Sequence, residues 1–170
     1  MAVSLLVSLL AVPVGAASVT KFSDVSDSYT ATAIETLRLM GVLDGYGDGT
    51  FRPDTVLNRA QFCKMAVYAM DGSGELGRYS TVTIFPDVKP SHWASAYINM
   101  ASRKGIISGF ADGKFKPGQT VTAGQAVTIL MRGLGYKDED MGGVWPQSYM
   151  AEAQTNGLLK STGITSAYAG

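Results

Sequence analysis

The chain has 170 residues, enough for one ordinary domain or two small ones, and its 14 basic and 14 acidic residues leave no net charge. No Lys/Arg run is present, so the electrostatic footprint of a nucleic-acid binder is missing. One cysteine, Cys63, and one histidine, His92, exclude a disulfide framework, a Cys-rich zinc site and a multi-His metal site.

The first 17 residues are almost wholly apolar and end in Pro13-Val-Gly-Ala-Ala17. The run is short for a membrane span, and its small residues suit cleavage after Ala16 or Ala17. Residues 1–17 are therefore expected to be a signal peptide that lacks the usual basic start, as one shortened at its beginning would.

Residues 22–70 predict a helix–loop–helix unit. Ala33, Ile34, Leu37 and Met40 form a helical apolar stripe, and Gly41 stands where a helix should stop. Asp44-Gly-Tyr-Gly-Asp-Gly-Thr50 must turn tightly, because its glycines suit backbone conformations that other residues avoid. Asn58-x-x-Gln61 fits a capping box for a second helix. Behind it Phe62, Met65, Ala66, Ala69 and Met70 stand at helical spacing. Cys63 lies in this pattern and reads as a small buried hydrophobe.

Residues 71–84 read as a Gly/Ser-containing connector, and residues 85–135 then repeat the first unit. Gly41, Asp48, Phe51 and Pro53 recur as Gly105, Asp112, Phe115 and Pro117, each 64 residues on. Thr122-x-x-Gln125 caps the matching helix, with Ala126, Ile129, Leu130, Gly133 and Leu134 on its expected face. Neither apolar face can be buried alone, so the two capped helices should pack on each other. A third start covers residues 145–170, where Ala153 and Gly157 match Ala101 and Gly105 at an offset of 52. It shows no Asp-Gly-x-Phe loop and no second capped helix. The expected fold class is mostly α, built from tandem repeats with the third incomplete.

Repetition disfavours an enzyme built around one asymmetric site and favours a binding or scaffold module. No Gly-x-Ser-x-Gly or other nucleophile signature accompanies the Ser, His and Asp residues. The glycine loop also misses the calcium pattern. With Asp44 as the first ligand, Asp48 and Gly49 fit, but Tyr46 takes the third position and Thr55 stands where a bidentate Glu is needed. No metal or cofactor is expected.

Several motifs in fixed order resemble the S-layer homology family. They are the Phe-x-Asp-Val openings at Phe22 and Phe85, Ser91-His-Trp-Ala94, Gly105-Ile-Ile-x-Gly-Phe-x-Asp-Gly-x-Phe-x-Pro117, and Leu57-Asn-Arg-Ala-Gln61. The last is similar to the family's Thr-Arg-Ala-Glu motif, and the resemblance runs from Phe22 to about Leu159. It implies an exported module anchored non-covalently to the cell wall or S-layer by binding secondary cell-wall polysaccharide, often pyruvylated. It also implies a pseudo-threefold helical bundle with ligand grooves between repeats.

Carried onto this sequence, the resemblance makes Arg59 the contact for an acidic sugar, because a guanidinium fork can bind both carboxylate oxygens. Ala123 takes that place in the second repeat, so the matching groove lacks its cation. Tyr29, Trp93 and Trp145 occupy equivalent positions and are candidates for stacking on sugar rings; wedging the first helix of each repeat is the competing role. Asp48 and Asp112 could accept from sugar hydroxyls or could simply close their own turns. Two other functions stay open: a self-association module of a surface layer that binds no sugar, and the anchoring end of a longer exported hydrolase.

Overall fold

A computed structural model of the chain describes residues 22–71, 74–160 and 162–165. The expected signal peptide lies outside the described residues. Among the described residues five α-helices carry the fold: α1 (Ser28–Leu39), α2 (Arg59–Asp71), α3 (Ser95–Arg103), α4 (Ala123–Gly133) and α5 (Gln147–Thr155). Two 3-10 turns, Leu76–Tyr79 and Asp138–Asp140, lie in the connectors. Among the described residues there is no β-strand, only an isolated antiparallel bridge between Asn58 and Thr120.

Local chemistry sets the helix ends. Asp27 caps α1 by accepting from the Thr30 N–H at 2.7 Å. The capping box of α2 is complete: the Gln61 N–H donates to Asn58 Oδ1 and the Asn58 N–H donates to Gln61 Oε1, both at 2.9 Å. In α4 the box is half formed. Thr122 Oγ1 accepts from the Gln125 N–H at 3.3 Å, but the Gln125 side chain is turned elsewhere. Gly41, Gly105 and Gly157 follow α1, α3 and α5 with φ of 73°, 71° and 76°, so each repeat stops its first helix in the same way.

The two capped helices, α2 and α4, pack side by side. Each also packs on the first helix of the following repeat, α2 on α3 and α4 on α5. The repeats therefore interlock rather than stack as closed units. Three apolar clusters reflect this order. Phe22, Val25, Ala31, Ile34 and Leu43 form the first; Cys63, Val67, Ile98, Met100 and Phe115 belong to the second; Val127, Met131, Tyr149 and Met150 belong to the third.

Contact on two sides rotates the buried faces away from the sequence expectation. On α2 the buried residues are Arg59, Ala60, Cys63, Ala66 and Val67, while Phe62, Met65 and Met70 are half-buried and Ala69 is exposed. On α4 Ile129 is buried as expected, but Leu134 is exposed and Val127 and Met131 carry the core. In α1, Ile34 and Ala31 are buried, whereas Ala33 and the C-cap residue Met40 face solvent. The single-stripe pattern assumes one packing partner; α2 has two. The connector of residues 71–84 also contributes, since Leu76 and Tyr79 of its 3-10 turn pack on the second cluster.

The repeated loops are held by a device that the spacing pattern does not reveal. Asp24 of the first Phe-x-Asp-Val opening accepts from the backbone N–H groups of Phe51 and Arg52 at 2.8 and 2.6 Å. Asp87 does the same for Phe115 and Lys116 at 2.9 and 2.7 Å. Arg52 and Lys116 sit at φ of 60° and 58°, a left-handed conformation that costs a residue with a side chain roughly 1–2 kcal/mol. Two charge-assisted bonds from one carboxylate offset that cost. Both aspartates are held below the usual carboxylate range. For Asp24 the Phe51 N–H is the main cause; for Asp87 burial works against the charge but the two N–H groups outweigh it.

Candidate functional site

The start of α2 is docked on the second repeat by its own backbone. The Arg59 N–H donates to the Gln119 carbonyl at 2.8 Å and the Ala60 N–H to the Pro117 carbonyl at 3.0 Å. These donors belong to a first helical turn and have no partner within the helix. Docking carries the Arg59 side chain into the second repeat, where the residue is only 5% exposed. Its Nε donates to the Phe115 carbonyl at 2.8 Å, Nη1 to Gln125 Oε1 at 3.1 Å and Nη2 to the Ser108 carbonyl at 3.3 Å. The guanidinium carbon lies 4.6 and 4.5 Å from the ring centres of Phe110 and Phe115. This explains the half-formed box of α4: Gln125 serves Arg59 instead of its own cap.

Arg59 lines a cleft of about 490 Å³ between the second repeat and the start of the third. Ser108, Phe110, Gln125, Thr128, Arg132, Trp145 and Tyr149 line it as well. All three acceptors of Arg59 are uncharged, and they take three of the five N–H donors a guanidinium carries. Burial strips water from the cation and draws its pKa down; Asp87 acts on it only through space. Cys63, one turn along α2, is fully buried, and its thiol is pushed up to about 12, chiefly by burial. It is an inert core residue, as its place in the apolar pattern suggested.

Of the candidate site residues, the structure brings Arg59 and Trp145 together in this cleft. Trp145 is 53% exposed, and its indole N–H donates to Thr128 Oγ1 at 3.0 Å, which fixes the ring at the rim. Trp93 and Tyr29 are also exposed but do not line the cleft; Trp93 stacks on His92 with ring centres 5.8 Å apart. Asp48 and Asp112 lie outside it as well. Asp48 accepts from the N–H and hydroxyl of Thr50 at 3.0 and 2.6 Å and pairs with Arg52, which hold its carboxyl down at about 2. Asp112 accepts from the Lys114 N–H at 3.1 Å and pairs with Lys116 at 3.0 Å. Each closes its own turn.

Sequence reasoning passed over Ser108, Gln125, Arg132, Asp138 and Tyr149. One signal was available: Tyr149 stands 52 residues after Tyr97, as Trp145 stands after Trp93, while Arg132 replaces Tyr68 at the 64-residue offset. Tyr68 and Tyr97 share a hydroxyl contact of 3.2 Å; at the equivalent place Arg132 lies 5.7 Å from the Tyr149 ring centre. The repeat thus turns a tyrosine pair into a cation–aromatic pair where the cleft opens. Among the described residues no group of His, Cys, Asp or Glu could hold a metal ion, and no helix is long and apolar enough to cross a membrane.

This architecture, two helix–loop–helix repeats interlocked through the start of α2, is that of a repeat module with an inter-repeat cleft. The profile of the S-layer homology domain matches residues 21–63 and 84–127, half of the chain, and the chain belongs to that family. Among similar proteins is a "Cell surface protein" of Thermoanaerobacter kivui, 37% identical over 163 residues, covering 94% of this chain and 20% of that protein. A "Surface layer protein" of Brevibacillus choshinensis is 32% identical over 163 residues, covering 92% of this chain and 14% of that protein. A "Cellulosome-anchoring protein" of Acetivibrio thermocellus is 32% identical over 115 residues, covering 66% of this chain and 26% of that protein. The chain therefore spans about a quarter or less of the length of these relatives. Family and relatives mark it as an exported, cell-surface protein.

Proposed function

We propose that the chain anchors its protein to the cell envelope by non-covalent binding of an acidic, pyruvylated secondary cell-wall polysaccharide in the cleft between the second repeat and the start of the third. The observation that carries this reading is the Arg59 guanidinium: buried, unpaired with any carboxylate among the described residues, and set in an aromatic-walled cleft. A buried cation with only neutral partners is destabilised by lost hydration, and a ligand carboxylate would restore the missing interaction. Trp145 at the rim offers a ring face to a sugar, and Ser108, Gln125 and Thr128 offer neutral polar groups. The same reading includes a pseudo-threefold bundle. It is supported by α2 and α4 packing side by side, each with the next repeat's first helix against it.

Retention on purified cell-wall polysaccharide tests the proposal. Trp145→Ala removes one rim contact and a single hydrogen bond, so folding should survive and affinity should fall by roughly fivefold to tenfold. Arg59→Lys keeps the charge and loses the fork, and should weaken binding to the acidic polymer more than to the polymer stripped of its carboxyl groups. Unchanged retention of both variants, with circular dichroism confirming their fold, would overturn the reading.

A further inference from the structure

Ser108 contacts both guanidinium groups that line the cleft. Its carbonyl accepts from Arg59 Nη2 at 3.3 Å and its hydroxyl accepts from Arg132 Nη1 at 3.0 Å. The two cations are otherwise treated differently. Among the described residues Arg59 meets no carboxylate. Arg132 donates from Nε and Nη2 to the two oxygens of Asp138 at 2.8 and 2.7 Å, so its two-pronged edge is filled by an acid of the same chain.

The partners of that pair are unequal. The Arg132 side chain is 13% exposed and Asp138 is 68% exposed. Arg132 is fixed on α4 between Ser108 and the Tyr149 ring. Asp138 opens a three-residue 3-10 turn in the connector between α4 and α5. It also accepts from the Tyr149 hydroxyl at 2.6 Å, and it is the one carboxylate that lines the cleft among the described residues. An ion pair with one partner largely in water is weak. A ligand carboxylate in the cleft would need the same Nε and Nη2 donors.

We infer that Arg132 is a specificity-determining residue of this cleft and that Asp138 is its placeholder, an internal carboxylate that an acidic sugar displaces from the Arg132 fork. The inference rests on the reading of the cleft as an acidic-sugar site. A neutral sugar has nothing to exchange for Asp138 and leaves the pair closed. The pair therefore selects for ligands that bring their own carboxylate, at the cost of some affinity for them.

The experiment is a titration of the full chain, followed by NMR chemical shifts, with a methyl hexoside carrying a 4,6-pyruvate ketal and with the same hexoside lacking the ketal. Asp138→Asn keeps the size of the side chain and an acceptor for Tyr149 but removes the competing charge. It should tighten binding of the ketal about twofold to fivefold, the reach of an exposed ion pair, and leave the ketal-free sugar unchanged. Adding Arg132→Gln should erase that gain. Equal or weaker ketal binding by Asp138→Asn would overturn the inference, because Asp138 would then orient Arg132 or contact the sugar itself. If wild type binds the ketal and Arg59→Lys weakens it, such a result sinks this inference alone. If neither wild type nor Asp138→Asn binds the ketal, the inference and the cleft reading both fall.

Discussion

The two glycine loops are nearly the same sequence placed in two different surroundings. Residues 43–53 and 107–117 share the aspartate staple, and both tuck a phenylalanine under it, with Phe22–Phe51 and Phe85–Phe115 ring centres 5.6 and 5.5 Å apart. Phe115 is nevertheless fully buried, while Phe51 is only half-buried. In the second loop Phe110 lies between Lys116 and Arg59, whereas Tyr46 at the equivalent place carries Arg52 and remains 40% exposed. The difference comes from outside the repeat: Arg59, supplied by the first repeat, closes the second loop. A repeat of this kind is completed by its neighbour, and the binding cleft forms where that completion happens.

The strongest way to break the contrast is to remove the closing side chain. Arg59→Ala would leave the Phe115 and Ser108 carbonyls without their donor and open a void between two rings. A loss of about 3–5 kcal/mol is expected, read as a fall in the midpoint of denaturant unfolding. Hydrogen exchange makes the comparison sharper. The Phe115 amide should exchange more slowly than the Phe51 amide in wild type, and the gap should shrink in the variant. Equal protection of the two amides in wild type would show that Arg59 does not close the loop.

A smaller effect separates the loops through their inner glycines. A Cβ on Gly45 would lie 2.2 Å from Phe22 Cε1, and the residue has φ of 78°. A Cβ on Gly109 would lie 2.6 Å from Phe85 Cε1, without a left-handed backbone to strain. Gly45→Ala should therefore cost about 2–4 kcal/mol and Gly109→Ala about 1–3 kcal/mol. Thermal melts of the two variants should show the first loop hit harder, and the reverse order would mean that neighbouring contacts outweigh backbone strain.

Much of this organisation could be read from the sequence. The repeat offset, the helix starts at Asn58 and Thr122 and the stops at Gly41 and Gly105 are local signals, because caps and left-handed glycines act within a few residues. Arg59 and Trp145 were also legible as candidates, through motif and repeat position. What stayed hidden depends on contacts between repeats. The hydrogen-bonding pattern of Asp24 spans 27 residues and that of Arg59 spans 56, so no local spacing reports either. Gln125 looked like a cap residue and is one by backbone position, yet its side chain belongs to Arg59. For Asp48 and Asp112 the sequence left sugar contact and turn closure both open, and each closes its own turn.

The smallest expected difference lies in how acid loosens the two staples. Asp24 and Asp87 both have carboxyls held below the ordinary value of about 4 in the folded chain. A depressed folded pKa means that the stabilisation is fully present above the unfolded value and is lost as pH falls through the folded one. Wild-type stability should therefore decline below about pH 4. Replacing either aspartate by Asn leaves one acceptor oxygen and turns an amide NH2 toward a backbone N–H. At neutral pH Asp87→Asn should cost about 1–2 kcal/mol, since its loop is the more buried, and Asp24→Asn should cost less. Once the pH has fallen through the lowered folded pKa values, both variants should converge on the wild type, because the charge they lack is then missing from the parent too. Thermal melts across this range decide the point. An Asp87→Asn variant that keeps the wild-type gap at low pH would place the acid sensitivity in other carboxylates, such as Asp48 or Asp138, whose pKa values are also lowered.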